Sequence, residues 1–161
     1  MQQTASSLLI GACFFLCSCQ MTTSSSGKLH FDVGDGSNVI ATGNASSGGI
    51  VGNSNSGNIE KCTSLNNSII GTAGKTARIV GNLTGSATAT NNAANINMLV
   101  NSSTVANSNK DGIGINPVLL TESIYTGTGT LTANTSGAIT SGGLGWDPNI
   151  WDFTSRYPKL E

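Results

Sequence analysis

The residues of this chain best able to do chemistry are eight carboxylates, one histidine and four cysteines. Proton transfer at a glycosidic bond needs two carboxyl groups held across the reacting atoms. The carboxylates here are Asp32, Asp35, Glu60, Asp111, Glu122, Asp147, Asp152 and Glu161, thinly spread along the chain. Asp147 and Asp152 are the closest pair within the aromatic C-terminal stretch. Asp147 either bonds backbone N–H groups in a turn or serves with Asp152 as an acid–base pair. His30 has no Ser or Cys at a spacing that makes it a general base. "DVGDGSN" (32–38) has the start of a calcium-loop pattern without its distal Glu, and reads as a turn. "GTGTL" (127–131) is followed by no helical pattern, so it is not a phosphate loop. Cys13, Cys17 and Cys19 are closely spaced, but zinc sites usually add a second ligand cluster. No residue is therefore assigned to catalysis, cofactor binding or a metal.

The three N-terminal cysteines lie in a segment unlike the rest. "SLLIGACFFLCSCQ" (7–20) is almost wholly apolar over a length that fits a secretion-signal core. Leu16-Cys17-Ser18-Cys19 is similar to a lipobox, with Cys19 as the acylated residue and "QMTTSSSG" as a tether; Cys13 after Ile10-Gly11-Ala12 is a competing position. No Lys or Arg precedes Lys28, so the basic start of a signal is missing. Residues 1–19 are thus either a lipoprotein signal or a buried strand, and 20–37 either a Ser/Thr-rich tether or a first coil. Cleavage at Cys19 removes Cys13 and Cys17. Cys62 is then the sole unlipidated cysteine, and an internal disulfide is impossible.

The elements that position these residues are short. Gly, Ser, Thr and Asn make up about half of the chain, charged residues only 9% and aromatics 5%. These abundant residues are poor helix formers, so the composition specifies an all-β chain with many tight turns. The net charge is −1 and the basic residues are scattered, which gives no electrostatic case for nucleic acid. No apolar run reaches the roughly 18 residues that cross a bilayer.

The beats repeat. Ile50-Val51-Gly52-Asn53 matches Ile79-Val80-Gly81-Asn82 at a period of 29. Further on, Ile59 faces Ala87 and Cys62 faces Thr90 if one residue is deleted. "NVIATGN" (38–44) and "GAITSGGLGW" (137–146) are shorter echoes. Such strands cannot bury a sheet face alone. They are stable if each winding stacks on the next, as in a β-solenoid. Ile50, Ile59, Cys62, Ile79 and Ala87 then point inward, Val51 and Val80 complete the beats, and the glycines make corners. Stacked asparagines can bond between windings.

"GGIVGNSNSGNIEKCTS" (48–64) resembles the GLUG motif, in which Gly-Gly-Ile-Val-Gly is followed by a polar turn, an Ile and an Asn-Cys-like step. Residues 64–105 and the ending "GLGWDPNIWDFTSRYPKL" (143–160) look like the last repeats and C-terminus of GLUG proteins of Bacteroidetes-type bacteria. Glu60-Lys61 departs from the motif, which favours Asn before the Cys. The resemblance covers 46–160. It implies a short right-handed parallel β-helix over 38–142 on a bacterial surface or secreted protein, of which this chain is a C-terminal part.

Trp146, Ile150, Trp151, Phe153, Tyr157 and Leu160 fall in 143–161, where an open solenoid end needs covering. We read them as a cap; the alternative is an aromatic platform for sugar rings. "YTGTGTLTANTSG" (125–137) reads as a strand with Thr126, Thr128, Thr130 and Thr132 on one solvated face. The expected architecture is a solenoid of four or five coils. The expected role is a non-catalytic adhesin-like or structural module meeting surface glycans or proteins. The alternative is a glycan-binding or polysaccharide-degrading protein.

Overall fold

A computed structural model of the chain describes residues 16–17, 38–40, 46–154 and 158–160. Cys13, Cys19, His30 and Tyr157 lie outside the described residues. The fold is all-β with very little helix. Its strands are β1 (Leu16–Cys17), β2 (Asn38–Ile40), β3 (Ser47–Gly48), β4 (Val51–Ser54), β5 (Asn58–Glu60), β6 (Cys62–Ser64), β7 (Ser68–Ile70), β8 (Thr76–Ala77), β9 (Val80–Leu83), β10 (Thr88–Thr90), β11 (Ala93–Asn95), β12 (Leu99–Val100) and β13 (Ile113–Ile115). A 3-10 turn (Pro117–Leu119), helix α1 (Glu122–Thr126), and strands β14 (Thr132–Ala133), β15 (Ile139–Ser141), β16 (Trp151–Asp152) and β17 (Lys159–Leu160) follow.

Residues 46–100 make two passes that pair strand for strand in parallel. Val51 lies beside Val80 and Ser47 beside Thr76, both 29 residues on. Ile59 lies beside Ala89 and Thr63 beside Ala93, 30 residues on. One rung extends each side, with β2 beside β7 and β13 beside β11. The register therefore corrects the sequence alignment at its second beat: Ile59 meets Ala89 rather than Ala87, because the polar turn 84–87 is longer than its counterpart. Ala87 is half-buried and Ala89 is fully buried. Helix is disfavoured here by the Gly, Asn and Thr content, and several strands stop at a Gly or Asn that lets the chain turn, as β7 does at Gly71, β10 at Asn91 and β12 at Asn101.

The glycines of the Ile-Val beat act by thinness. A Cβ on Gly49 would collide with the Arg78 carbonyl oxygen and Ser64 Oγ, and one on Gly81 would come within 2.6 Å of the Ser47 and Lys75 backbones. The left-handed corners fall elsewhere, at Gly57 (φ 86°) and Gly85 (φ 56°), and at the stacked pair Lys61 (φ 58°) and Asn91 (φ 50°).

The parallel ladder ends at Ile115, earlier than residue 142, and the described residues do not hold four or five coils. On the third pass Ala93 pairs with Ile113, only 20 residues on. Lys110 O accepts from both Ile79 N (3.0 Å) and Val80 N (2.9 Å), while Ile113 N donates to Asn92 O (2.8 Å). The chain thus cuts from above residue 80 to above residue 92 in three steps. Beyond it, "GAITSGGLGW" is no further coil: β15 pairs antiparallel with β14. The threonine strand is not formed either. Thr126 ends α1, and only Thr132 of the four lies in a strand.

The core has two parts. Ile59, Cys62, Ile69, Ile79, Val80, Ala89, Ala94 and Met98 pack together between the windings, with Ile50 and Val51 partly buried against them. Leu65, Ala93, Ile115, Tyr125, Leu131, Leu144, Trp146 and Trp151 form the second part, with Phe153 packed against it. Cys62 is fully buried and disulfide-bonded.

Candidate functional site

Two groupings of polar or aromatic side chains stand out. The first is a ladder of amides and hydroxyls between windings. Asn82 Nδ2 donates to Asn53 Oδ1 (2.8 Å), Thr84 Oγ1 to Asn55 Oδ1 (2.9 Å) and Thr88 Oγ1 to Asn58 Oδ1 (2.9 Å) on the exposed face. Asn58 Nδ2 also donates to Glu60 Oε2 (2.8 Å), which ties that carboxylate into the ladder. Inside, Asn92 accepts from Cys62 N (2.9 Å) and donates to Ile59 O (2.8 Å). Strand pairing places the other donors one pass from their acceptors, so the sequence period becomes a side-chain ladder.

The second grouping is aromatic. Trp146 and Trp151 stack with centroids 4.7 Å apart. Tyr125 lies 5.0 Å from Trp146 and 5.7 Å from Phe153. Trp146 Nε1 donates to Lys61 O (2.8 Å), across to the first winding. Trp146 and Trp151 are 2% and 5% exposed. Their faces meet each other and the core, so they offer no open platform to a sugar ring. Ile150, by contrast, is 41% exposed and does not join the cluster. Tyr125 was missed in the sequence because "ESIYT" sits beside a Gly/Thr run. Its only local signal is the acidic residue at the first helical position, which favours a helix start.

The carboxylates are engaged in local turns. Asp147 Oδ1 accepts from Asn149 N (2.8 Å) and Asn149 Nδ2 (2.9 Å), and Asp152 Oδ1 accepts from Thr154 N (2.8 Å). Asp111 Oδ1 accepts from Arg78 N (3.1 Å), and its other oxygen accepts from Ser108 Oγ. Among the described residues no three of His, Cys, Asp or Glu gather as metal ligands, and no helix is long and apolar enough to cross a membrane.

Arg78 is a fully buried cation. Its Nη2 donates to Asn107 Oδ1 (3.0 Å) and Gly112 O (3.2 Å). Burial lowers its pKa from the ordinary arginine value, and Asp111 draws it back up. This group pins loop 101–112 on the second winding. Beside it is a shallow depression of about 210 Å³, lined in part by Asn91, Asn92, Asn107 and Asn109. Asn91 Oδ1 accepts from Leu131 N (2.7 Å), its Nδ2 donates to Gly143 O (3.1 Å), and Asn107 Oδ1 accepts from Gly114 N (2.8 Å). These groups therefore hold the fold together.

Of the residues singled out from sequence, Ile59, Cys62, Ile79, Val80, Trp146 and Trp151 are buried, and Ile50 and Val51 are half-buried. The chain matches no protein-family model, no curated protein and no solved structure.

Proposed function

We propose that the chain is a short parallel β-solenoid with an aromatic cap, acting as a non-catalytic, adhesin-like or structural module at a bacterial surface or in secreted form. The observation that carries this reading is the parallel pairing at a nearly constant offset of 29–31 residues. Short strands bury little area singly, and stacking them supplies a continuous core. Their outward side chains then form a flat, repetitive, nearly uncharged face of amides and hydroxyls. Such a face meets sugar hydroxyls or another protein through many weak hydrogen bonds. The resemblance of 46–160 to GLUG repeats supports this from the sequence side.

An acid–base site needs carboxyl groups free to face a substrate, and Asp147 and Asp152 are held in turns. The test is incubation of the purified chain with a panel of polysaccharides, alongside a glycan array and a surface-protein array. Binding without hydrolysis is the expected result. Hydrolysis that disappears in Asp147→Asn overturns the reading.

A further inference from the structure

We propose that a disulfide between Cys17 and Cys62 fastens the N-terminal segment to the sheet, so that this segment stays on the mature protein. Cys62 is disulfide-bonded, and the other cysteines of the chain are Cys13, Cys17 and Cys19. The bond therefore reaches into the first nineteen residues. Strand register selects among the three. β1 pairs antiparallel with β6, and the Cα of Cys17 lies opposite that of Cys62. Directly opposed residues of antiparallel strands have Cα atoms about 4.5–5.5 Å apart, inside the range of about 4.4–6.8 Å that a disulfide spans.

β1 is only two residues long and occupies the outer edge of the sheet β1–β6–β11–β13. Two backbone residues hold an edge weakly, and the covalent link keeps the edge of β6 covered against pairing with other chains. The link forms by exchange with a disulfide-bearing oxidant. The Cys17 thiolate attacks the oxidant's disulfide, the Cys62 thiolate displaces the resulting mixed disulfide, and the oxidant leaves as its dithiol with the two protons. Such oxidants act in exporting compartments, which agrees with an exported protein. Lipobox cleavage at Cys19 ahead of oxidation removes Cys17 before it can pair, so the link and that processing are alternatives. The proposal stands on strand register and not on the surface-module reading.

The test uses the full chain, exported through an oxidising compartment and alkylated in denaturant without reductant. Trypsin cuts after Lys28, Lys61 and Lys75, placing the N-terminal cysteines in one peptide (1–28) and Cys62 in another (62–75). The expected result is a linked species of these two peptides that separates on reduction, with its fragmentation spectrum placing the bond at Cys17. Cys17→Ser is expected to leave Cys62 alkylated, while Cys13→Ser and Cys19→Ser retain the link. An alkylated Cys62 in the native chain, a mature N-terminus at Cys19, or a link placed at Cys13 or Cys19 overturns the proposal. The fragmentation spectrum of the native chain decides even if a serine variant fails to fold.

Discussion

The windings of residues 46–115 and the segment 116–154 reach stability by opposite means. In the windings the buried side chains are mostly Ala, Val and Ile, and the bonds that cross between passes are many and repeated. In the C-terminal segment four rings from α1, β16 and the loops around them pack against one another. One design spreads the load over rungs, and the other concentrates it in a few large apolar side chains. The regions are joined nonetheless. Leu65 and Ala93 of the windings belong to the aromatic core, and Trp146 reaches back to Lys61 O. The rings therefore pack against the parallel strands as well as within their own segment.

The sharpest way to break this comparison is Trp146→Ala. Truncating a buried Trp costs about 3–5 kcal/mol, and urea unfolding should show one cooperative transition at lower midpoint. Two separate transitions would show instead that rings and windings are independent units. Ile79→Ala tests the other side. A buried Ile→Ala change costs about 2–5 kcal/mol, and we expect the lower half of that range because small neighbours can close in. A loss equal to that of Trp146→Ala would end the contrast between spread and concentrated load.

Asn92→Ala removes both bonds that its amide makes to the Cys62 N–H and the Ile59 carbonyl, leaving buried backbone groups unmet. A loss of about 1–3 kcal/mol is expected from denaturant titration. The exposed rung Asn82→Ala should cost under about 1 kcal/mol, because water replaces its partner. If the exposed and buried rungs cost the same, the ladder is not graded by burial. Lys61→Gly should be the smallest effect and of opposite sign. Lys61 holds a left-handed backbone (φ 58°), which is unfavourable for a residue with a Cβ. A rise in stability of up to about 1 kcal/mol is expected from the same titration, since its carbonyl still accepts from Trp146.

The Ile-Val beats were legible because two β-branched residues between glycines mark a strand and its close neighbours at once. The register at Ile59 was not, since its partner strand "TAT" presents only Ala89 to the core and a small residue leaves little pattern. Arg78 drew no notice in the sequence beyond its place among the scattered basic residues. It is buried because Gly49, one winding earlier, leaves no side chain over its backbone, and because Asn107 and the Gly112 carbonyl meet its guanidinium. Lys61 was noticed only as a departure from a motif. Its left-handed turn is matched at Asn91, a residue type that adopts this conformation more readily.

By itself the sequence determined that the chain is all-β, that its strands are short, and that Ile50-Val51 and Ile79-Val80 stand one winding apart. Those features follow from backbone propensity and from a repeat that chain order alone preserves. Only the tertiary structure decided where the parallel pairing stops, that Tyr125 joins the tryptophans, and that Arg78 is enclosed. Each of these depends on contacts between residues far apart in sequence, where small volumes and single hydrogen bonds choose among arrangements that local preference leaves equal.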